Sequence, residues 1–284
     1  MIWFSILAVL ACTDGGPGGD SGPDGTGETA HDNGFGPGAC GGSAETKFWN
    51  PEDGAWELVS SGSVQSTRLE FDCQDDHITS TFATSWDGGE FVRIADVSSE
   101  TTWAWDGDQL TEQITQFWDG DDFVRQSWST QLVHDYDGEQ LATSDRYFWD
   151  GSEWYLGYET LDAWSTRVET SWRDDGISNT VTSYWQGNSW QLEYQSTSAQ
   201  SQKHDYIHED GQLAHTTSLF YDGSSWYVGF ENVCCVSWRT VYEWDSDGRL
   251  AATETRHWNE EQQGWTVGYE ILALLSVRTE YSWD

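Results

Sequence analysis

Apolar residues fall on every second position through long stretches of this chain. In the last such stretch one parity reads Trp265, Val267, Tyr269, Ile271, Ala273, Leu275, Val277, Thr279, Tyr281 and Trp283. The other reads Thr266, Gly268, Glu270, Leu272, Leu274, Ser276, Arg278, Glu280 and Ser282. Period-two alternation marks strands with one covered face and one wet face. The same phase holds from Trp154 to Trp172 and from Trp226 to Trp244. One straight strand of that length would run roughly 60 Å, well beyond the usual strand. A bend, bulge or short loop is therefore expected near the middle, around Leu161–Ala163 and Val233–Val236. Return limbs such as Leu250 to Trp258 are shorter and more polar. No segment carries helical spacing that competes, so the pattern predicts an all-β chain with helix content near zero.

Two kinds of turn punctuate the alternation. The first is an aromatic followed by Asp-Gly: Trp86-Asp87-Gly88, Trp118-Asp119-Gly120, Trp149-Asp150-Gly151 and Tyr221-Asp222-Gly223, with looser copies at Trp49, Trp185-Gln186-Gly187 and Trp258. These aromatics recur about every 31 to 37 residues, a spacing typical of repeat architectures. Aspartate can accept hydrogen bonds from the local backbone, and glycine takes positive φ without steric cost. A second aromatic follows each turn, at Trp56, Phe91, Phe123, Trp154, Trp190, Trp226 and Trp265, placed to meet the first across a hairpin. The second turn is seen at Trp105-Asp106-Gly107, Tyr136-Asp137-Gly138, Asp210-Gly211 and Trp244 to Gly248, each followed by a leucine, and at Trp172 to Gly176, followed by Ile177; the first unit, Phe71 to Ile78, lacks the glycine. Alternating turns predict a tandem antiparallel β-hairpin array of about seven units over residues 45–284, coiled as a sheet, a shell or a barrel-like body. A seven-bladed β-propeller is the alternative, although propeller blades usually run to about 40–50 residues and four strands. An outer-membrane barrel is opposed by acid-rich turns at both ends and a sparse aliphatic belt.

The N-terminal segment is different. Residues 1–11 are apolar, too few to span a bilayer, and end at Cys12, so they read as a cleaved signal. Val9-Leu10-Ala11-Cys12 resembles a bacterial lipobox, which implies a lipidated Cys12 as the first mature residue and a partner in the membrane itself. Thr13 follows, and by analogy the expected address is the bacterial outer membrane, lipid-anchored, with the head facing the periplasm or the surface. Residues 12–44 are Gly-, Asp- and Pro-rich with almost no apolar side chain, the composition of a disordered tether.

Charge narrows the partners. The formal net charge of −37 and pI near 4.1 argue against nucleic acid and anionic headgroups. Calcium could sit at Asp245-Ser246-Asp247-Gly248 or Asp119 to Asp122, but no stretch matches the twelve-residue calcium loop. These aspartates read first as turn formers, and no cofactor is expected. Export permits disulfides, and Cys40 with Cys73 is the expected pair, pinning the tether to the first unit. Cys234 and Cys235 are adjacent on one strand and point to opposite faces. The cysteine spacing gives zinc little support. His134, His204, His208 and His215 lie near second turns at irregular spacing and read as surface histidines. No catalytic residue is assigned, and the chain is not expected to be an enzyme.

Two resemblances bear on function. Tyr242-Glu243-Trp244-Asp245-Ser246-Asp247-Gly248-Arg249-Leu250 resembles the core of the YD-repeat (Rhs-like) family, and Tyr136 to Leu141 and Asp210 to Leu213 look like shortened copies. That family implies long antiparallel arrays coiled into a shell. Gly151-Ser152-Glu153-Trp154-Tyr155 and Gly223-Ser224-Ser225-Trp226-Tyr227 are similar to the aromatic repeats of cell-wall-binding modules. The expected role is structural or binding, toward a cell-surface polysaccharide or protein. An Rhs-like shell component or a carbohydrate-active propeller enzyme is the alternative. With 20 tryptophans, most should pair at turns and fill the core; Trp128, Trp164 and Trp238 are the candidates for outward stacking on a ligand.

Overall fold

The structure, a computed structural model, describes residues 41–61, 64–75, 77–157, 164–193, 200–229, 236–268 and 276–283. Fourteen long strands make the wall. They are β1 (Gly42–Asn50), β2 (Thr67–Gln74), β3 (His77–Trp86), β4 (Ser99–Asp106), β5 (Gln109–Trp118), β6 (Thr130–Asp137) and β7 (Gln140–Trp149). Then follow β8 (Thr166–Arg173), β9 (Gly176–Trp185), β10 (Gln202–Glu209), β11 (Gln212–Tyr221), β12 (Trp238–Trp244), β13 (Leu250–Asn259) and β14 (Val277–Ser282). Each pairs antiparallel with its sequence neighbour, and β14 pairs back onto β1 from Ser43↔Ser282 to Phe48↔Val277. The sheet is thereby a closed 14-stranded barrel. The continuous ladder between units removes the propeller alternative, whose blades would be separate sheets. No helix occurs among the described residues. β1 also begins at Gly42, inside the segment assigned above to the tether.

Each unit has two long strands and one short piece. Short pieces such as Phe91–Val92 and Trp154–Tyr155 add onto the long strand before them, Trp86↔Phe91 and Trp149↔Trp154 in register. The next long strand pairs with that same neighbour further along, so short and long pieces are one interrupted strand. That is the expected mid-strand break; Leu161–Ala163 and Val233–Cys235 themselves lie outside the described residues. All seven predicted aromatic couples meet across the first turn, with ring centroids between 5.1 Å (Trp86–Phe91) and 5.3 Å (Trp258–Trp265). Asp87, Asp119, Asp150 and Asp222 each accept two backbone N–H bonds within the turn. These bonds hold all four carboxyls below the usual range, Asp222 at about 2. In the first unit's second turn Asp75 takes the positive φ that glycine supplies elsewhere.

At the far end of the barrel six hairpins carry a register shift at one equivalent place, immediately before Cys73, Trp105, Tyr136, Trp172, His208 and Trp244. The extra residue lies on the returning strand each time, as Thr111 opposite Ala104 and Trp105. The aromatic of the outgoing strand keeps its lumen phase and reaches the preceding unit. Trp105 Nε1 donates to Ile78 O (2.8 Å), Tyr136 Oη to Leu110 O (3.1 Å) and Trp172 Nε1 to Leu141 O (2.8 Å). Trp244 reaches Leu213 O (2.9 Å), and Trp283 at the last strand reaches Leu250 O (2.7 Å). Side chain and carbonyl thus tie unit to unit around the ring.

Candidate functional site

The two parities of the strands separate two environments. One carries Glu45, Lys47, Arg68, Glu100, Asp145, Arg167, Lys203, Asp205, Arg239, Glu243, Glu254, Arg256, Arg278 and Glu280. These form ion pairs: Arg167–Asp145 (2.5 Å) and Lys47 with Glu280 across adjacent strands, Arg256–Glu254 (2.7 Å) along β13, and Arg278–Glu243 (2.7 Å) from β14 over β13 to β12. The other parity holds the hydrophobic clusters. Ala44, Phe71, Ile78 and Leu250 pack with Trp103, Tyr242, Trp244, Tyr281 and Trp283. Ile177, Tyr206 and Leu213 pack with Trp172, Tyr242 and Trp244. Side chains from seven strands meet in the first cluster, which requires that this parity face the lumen. The charged parity faces outward.

The outward parity is rich in charge. A charged side chain on the lipid face of a membrane barrel costs about 2–4 kcal/mol at the bilayer midplane, and here nearly every strand presents one. Among the described residues, the outward parity therefore carries the charge and the inward parity the apolar clusters.

Inside, the lumen is layered. Near the bulge end Tyr206, Tyr242 and Tyr281 are enclosed, and burial pushes their phenols up while hydroxyls of Thr180, Thr216 and Thr253 bond to them. Toward the other end lie Phe48, Phe117, Phe148, Tyr184, Phe220 and Trp238, on the lumen side by register. Between these aromatic layers the wall narrows to small side chains: Thr46, Ala83, Thr101, Thr115, Thr182, Ser218, Thr240, Thr255 and Thr279. An eight-stranded barrel is just filled by its own side chains and diameter grows with strand number. At this level seven of the fourteen strands contribute threonine, two contribute Ala83 and Ser218, and five contribute the larger Leu69, Leu132, Arg146, Val168 and His204.

The histidines correct the surface expectation. His134 and His204 both project inward, and desolvation lowers each to about 4. His134 Nδ1 is 2.7 Å from Ser144 Oγ, and the His204 ring lies 5.7 Å from Trp238. His208 stands where three of the other hairpins have tryptophan, one has Tyr136 and the first has Cys73, and its imidazole crowds Gly176. Only His215 faces out, opposite Ile207.

The stacking candidates divide. Trp128 is 41 % exposed at the rim, its edge on Phe117. Trp164 is half-buried, donating Nε1–H to Trp185 O at 2.8 Å. Trp238 points into the lumen against His204 and Phe220, so it is not the outward ring expected of it. Cys73 is disulfide-bonded to a cysteine outside the described residues. Gly41, the residue after Cys40, donates its N–H to Cys73 Sγ at 3.0 Å. Cys12, Cys40, Cys234 and Cys235 lie outside the described residues. Among the described residues no three His, Cys, Asp or Glu side chains gather as a metal site. At the proposed calcium positions Asp119 and Asp245 are engaged by the N–H groups of their own turns, and Asp245 also pairs with Arg249 at 3.0 Å.

Two features escaped the pattern reading. Each unit has one fully enclosed serine at the entry to its long strand: Ser66, Ser98, Ser129, Ser165, Ser201, Ser237 and Ser276, all at most 1 % exposed. Its Oγ accepts a backbone N–H from the preceding loop, as from Ile94 to Ser98 at 2.9 Å and from Gly229 to Ser237 at 3.0 Å. Its carbonyl accepts the N–H of the first-turn aromatic, as Trp118 to Ser98 at 2.9 Å. The seven-fold recurrence of serine ahead of the alternating run was the available signal. The second feature is Arg146, an arginine in phase with Phe148 on the covered parity.

No protein-family model matches the chain, and no curated protein does. Among solved structures the chain is similar to a porin-like protein from Bacteroides uniformis ATCC 8492, at 9 % identity over 87 % of this chain and 98 % of that one, with a TM-score of 0.41. Barrel closure rests on the strand pairing described above, and the likeness adds no argument to it.

Proposed function

We propose that this chain is a lipid-anchored binding protein of the bacterial outer membrane, whose barrel stands in water at the end of its tether and takes a ligand or partner. The observation that carries the reading is the inverted polarity of the wall. Charge and ion pairs lie outside, while aromatic rings and threonine hydroxyls lie inside. An outside of that kind keeps the barrel out of hydrocarbon, so attachment falls to Cys12. The inside is of the kind small-molecule sites have, apolar with a few placed polar groups. A binding role follows from that lining and from a layered interior that a purely structural spacer would fill with aliphatics. We assign the Cys73 disulfide to Cys40, which fastens the tether to the bulge end of the barrel.

The test is direct. The full chain labelled with palmitate should lose its label on Cys12→Ala, and the variant should be soluble and monomeric without detergent. Aggregation of the folded Cys12→Ala barrel in the absence of detergent, with recovery in detergent, would refute the water-facing wall. Non-reducing peptide mapping should return a Cys40–Cys73 linkage.

A further inference from the structure

The chain has twelve Lys and Arg side chains, all among the described residues. Eleven have a partner. Lys47, Lys203, Arg68, Arg167, Arg173, Arg249, Arg256 and Arg278 pair with carboxylates. Arg93 and Arg125 lie over Trp118 and Trp149, each at 5.0 Å, and Arg239 bonds Thr217 Oγ1 while stacking on Trp265. Arg146 has neither hydrogen bond nor ion pair, in a protein of net charge −37.

Its place makes this informative. On β7 the residue beside it, Asp145, pairs outward with Arg167, so Arg146 projects into the lumen. It is the one charged side chain on the lumen parity of the described long strands, with Leu132 opposite it on one side and Thr166 on the other. Strand register sets Gln113, Leu132, Arg146, Thr166 and Tyr184 in a single row across five consecutive strands. At about 4.8 Å per strand the row spans roughly 19 Å with the guanidinium at its centre. No hydrogen bond engages the Gln113 amide or the Tyr184 hydroxyl. On the adjacent row His134 Nε2 is enclosed without a partner. The lumen raises the cost of the charge, and desolvation lowers the Arg146 guanidinium below its ordinary value. Buried charges are paired or they are expensive. Unlike the other eleven, Arg146 has no carboxylate, hydrogen bond or ring face against it among the described residues; its electrostatic neighbour is the Tyr184 hydroxyl.

We infer that the lumen holds a site for a small organic carboxylate, with Arg146 as its anchor and Gln113 and Tyr184 as flanking donors, and that this carboxylate is the ligand of the binding function proposed above, on which the inference rests. One cation matches one negative charge. A dianion such as phosphate would be undercompensated at this site and repelled by the field of the whole barrel. The carboxylate would meet the guanidinium in a fork of two parallel hydrogen bonds. Leu132 beside it and Phe148 above it on the same strand supply an apolar surface for the rest of the molecule, so an aromatic or short-chain aliphatic acid fits better than acetate.

The experiment uses the full chain carrying Cys12→Ser, titrated calorimetrically with benzoate, octanoate, acetate and inorganic phosphate, alongside Arg146→Met and Arg146→Lys. Benzoate or octanoate should bind to the first protein, and Arg146→Met should weaken that binding about tenfold or more, as expected for a hydrogen-bonded charge. Arg146→Lys should retain an intermediate affinity, and acetate and phosphate should bind weakly. Without ligand, Arg146→Met should melt no lower than the parent, since it removes an uncompensated charge; this also shows that the variant folds. Affinity for benzoate and octanoate unchanged in folded Arg146→Met would overturn the Arg146 site while leaving the binding barrel standing. Absence of heat with both acids at 10 mM probe, on a folded parent, would overturn the carboxylate inference. A ligand pulled from envelope extracts by the same parent protein would then show that the broader reading survives.

Discussion

The enclosed serine offers the sharpest quantitative test of how the repeat is held. Ser98 is 1 % exposed, and its Oγ accepts the Ile94 N–H at 2.9 Å. Its own N–H donates to Ile94 O at 2.8 Å and its carbonyl accepts from Trp118 N at 2.9 Å. Ser98→Ala leaves both backbone bonds in place and removes one acceptor from a part-buried donor. An orphaned buried N–H costs about 1–3 kcal/mol, with little hydrophobic gain to offset it, because alanine adds no apolar volume. For a domain of this size about 2 kcal/mol corresponds to a fall of roughly 4–8 °C in Tm. Ser98→Thr keeps the hydroxyl but forces a methyl into closed space, which costs about 1–3 kcal/mol by overpacking. Both variants should therefore fall, for different reasons. Ser152→Ala is the control: its Oγ bonds Asp150 Oδ1 at 2.9 Å, but at an exposed turn that keeps its two backbone donors. It should stay within about 0.5 kcal/mol of the parent. Denaturant unfolding followed by tryptophan fluorescence gives the comparison, provided the m-values agree. A Ser98→Ala barrel as stable as Ser152→Ala would show that the hydroxyl does not hold the turn.

Three more outcomes are expected. His134 and His204 titrate at about 4 in the folded barrel but near 6.5 when unfolded, so the unfolded chain takes up their protons first as pH falls. Their contribution, up to roughly 3 kcal/mol each, is complete above pH 6.5 and lost by pH 4; unfolding midpoints across that window should flatten in His204→Gln, and an unchanged slope would refute the assignment. Arg278 bridges Glu243, Glu254 and Glu280 on the outer wall. Arg278→Met should cost about 1–2 kcal/mol in dilute buffer and much less in 1 M salt, because exposed pairs are weak and screened; a salt-independent loss would mean the side chain acts by packing. Gly42 has φ +107°, and a Cβ there would lie 2.0 Å from Ser282 O, across the β1–β14 seam, whereas Gly88 at φ +106° faces open space. Gly42→Ala should open the seam to proteolysis within β1, while Gly88→Ala should cost only about 1–2 kcal/mol of local strain.

How much of this was legible follows from where the information sits. Trp86, Asp87 and Phe91 interact within one turn, so their types and spacing expose the hairpin and its aromatic couple. The interrupted strand was legible for the same reason, from a phase that persists too far for one straight segment. Closure was not, because Phe48↔Val277 joins the two ends of the array and no local signal encodes it. Alternation also does not say which parity is the inner one. Glu45 and Thr46 alternate as cleanly whether the wall curves toward one or the other, and only the meeting of Phe71, Trp103 and Tyr281 from different strands decides it. His134 and His204 were misplaced for that reason: they lie in phase with Leu132 and Tyr206, but histidine by itself suggests a surface. Arg146 was readable in principle, as the basic residue on the parity of Phe148. Its lack of a carboxylate partner shows only in the fold, where the register sets what lies beside it.

The composition and the architecture explain each other. A chain with few aliphatic side chains cannot fill a large core, and a 14-stranded barrel does not ask it to. The barrel needs only enough apolar contact to hold its wall, which the seven aromatic couples outside and the tryptophan-to-carbonyl bonds at the bulges supply from local geometry. Each of those bonds crosses between units, so the ring gains stability from closing that no single unit has alone. Acidic turns then cost little, because their carboxylates are committed to backbone N–H groups and sit at the rims. What the architecture leaves unspent is the lumen. There Arg146 places one charge among neutral side chains, where leucine would have met Leu132 with no desolvation cost, and that cost is what the carboxylate proposal accounts for.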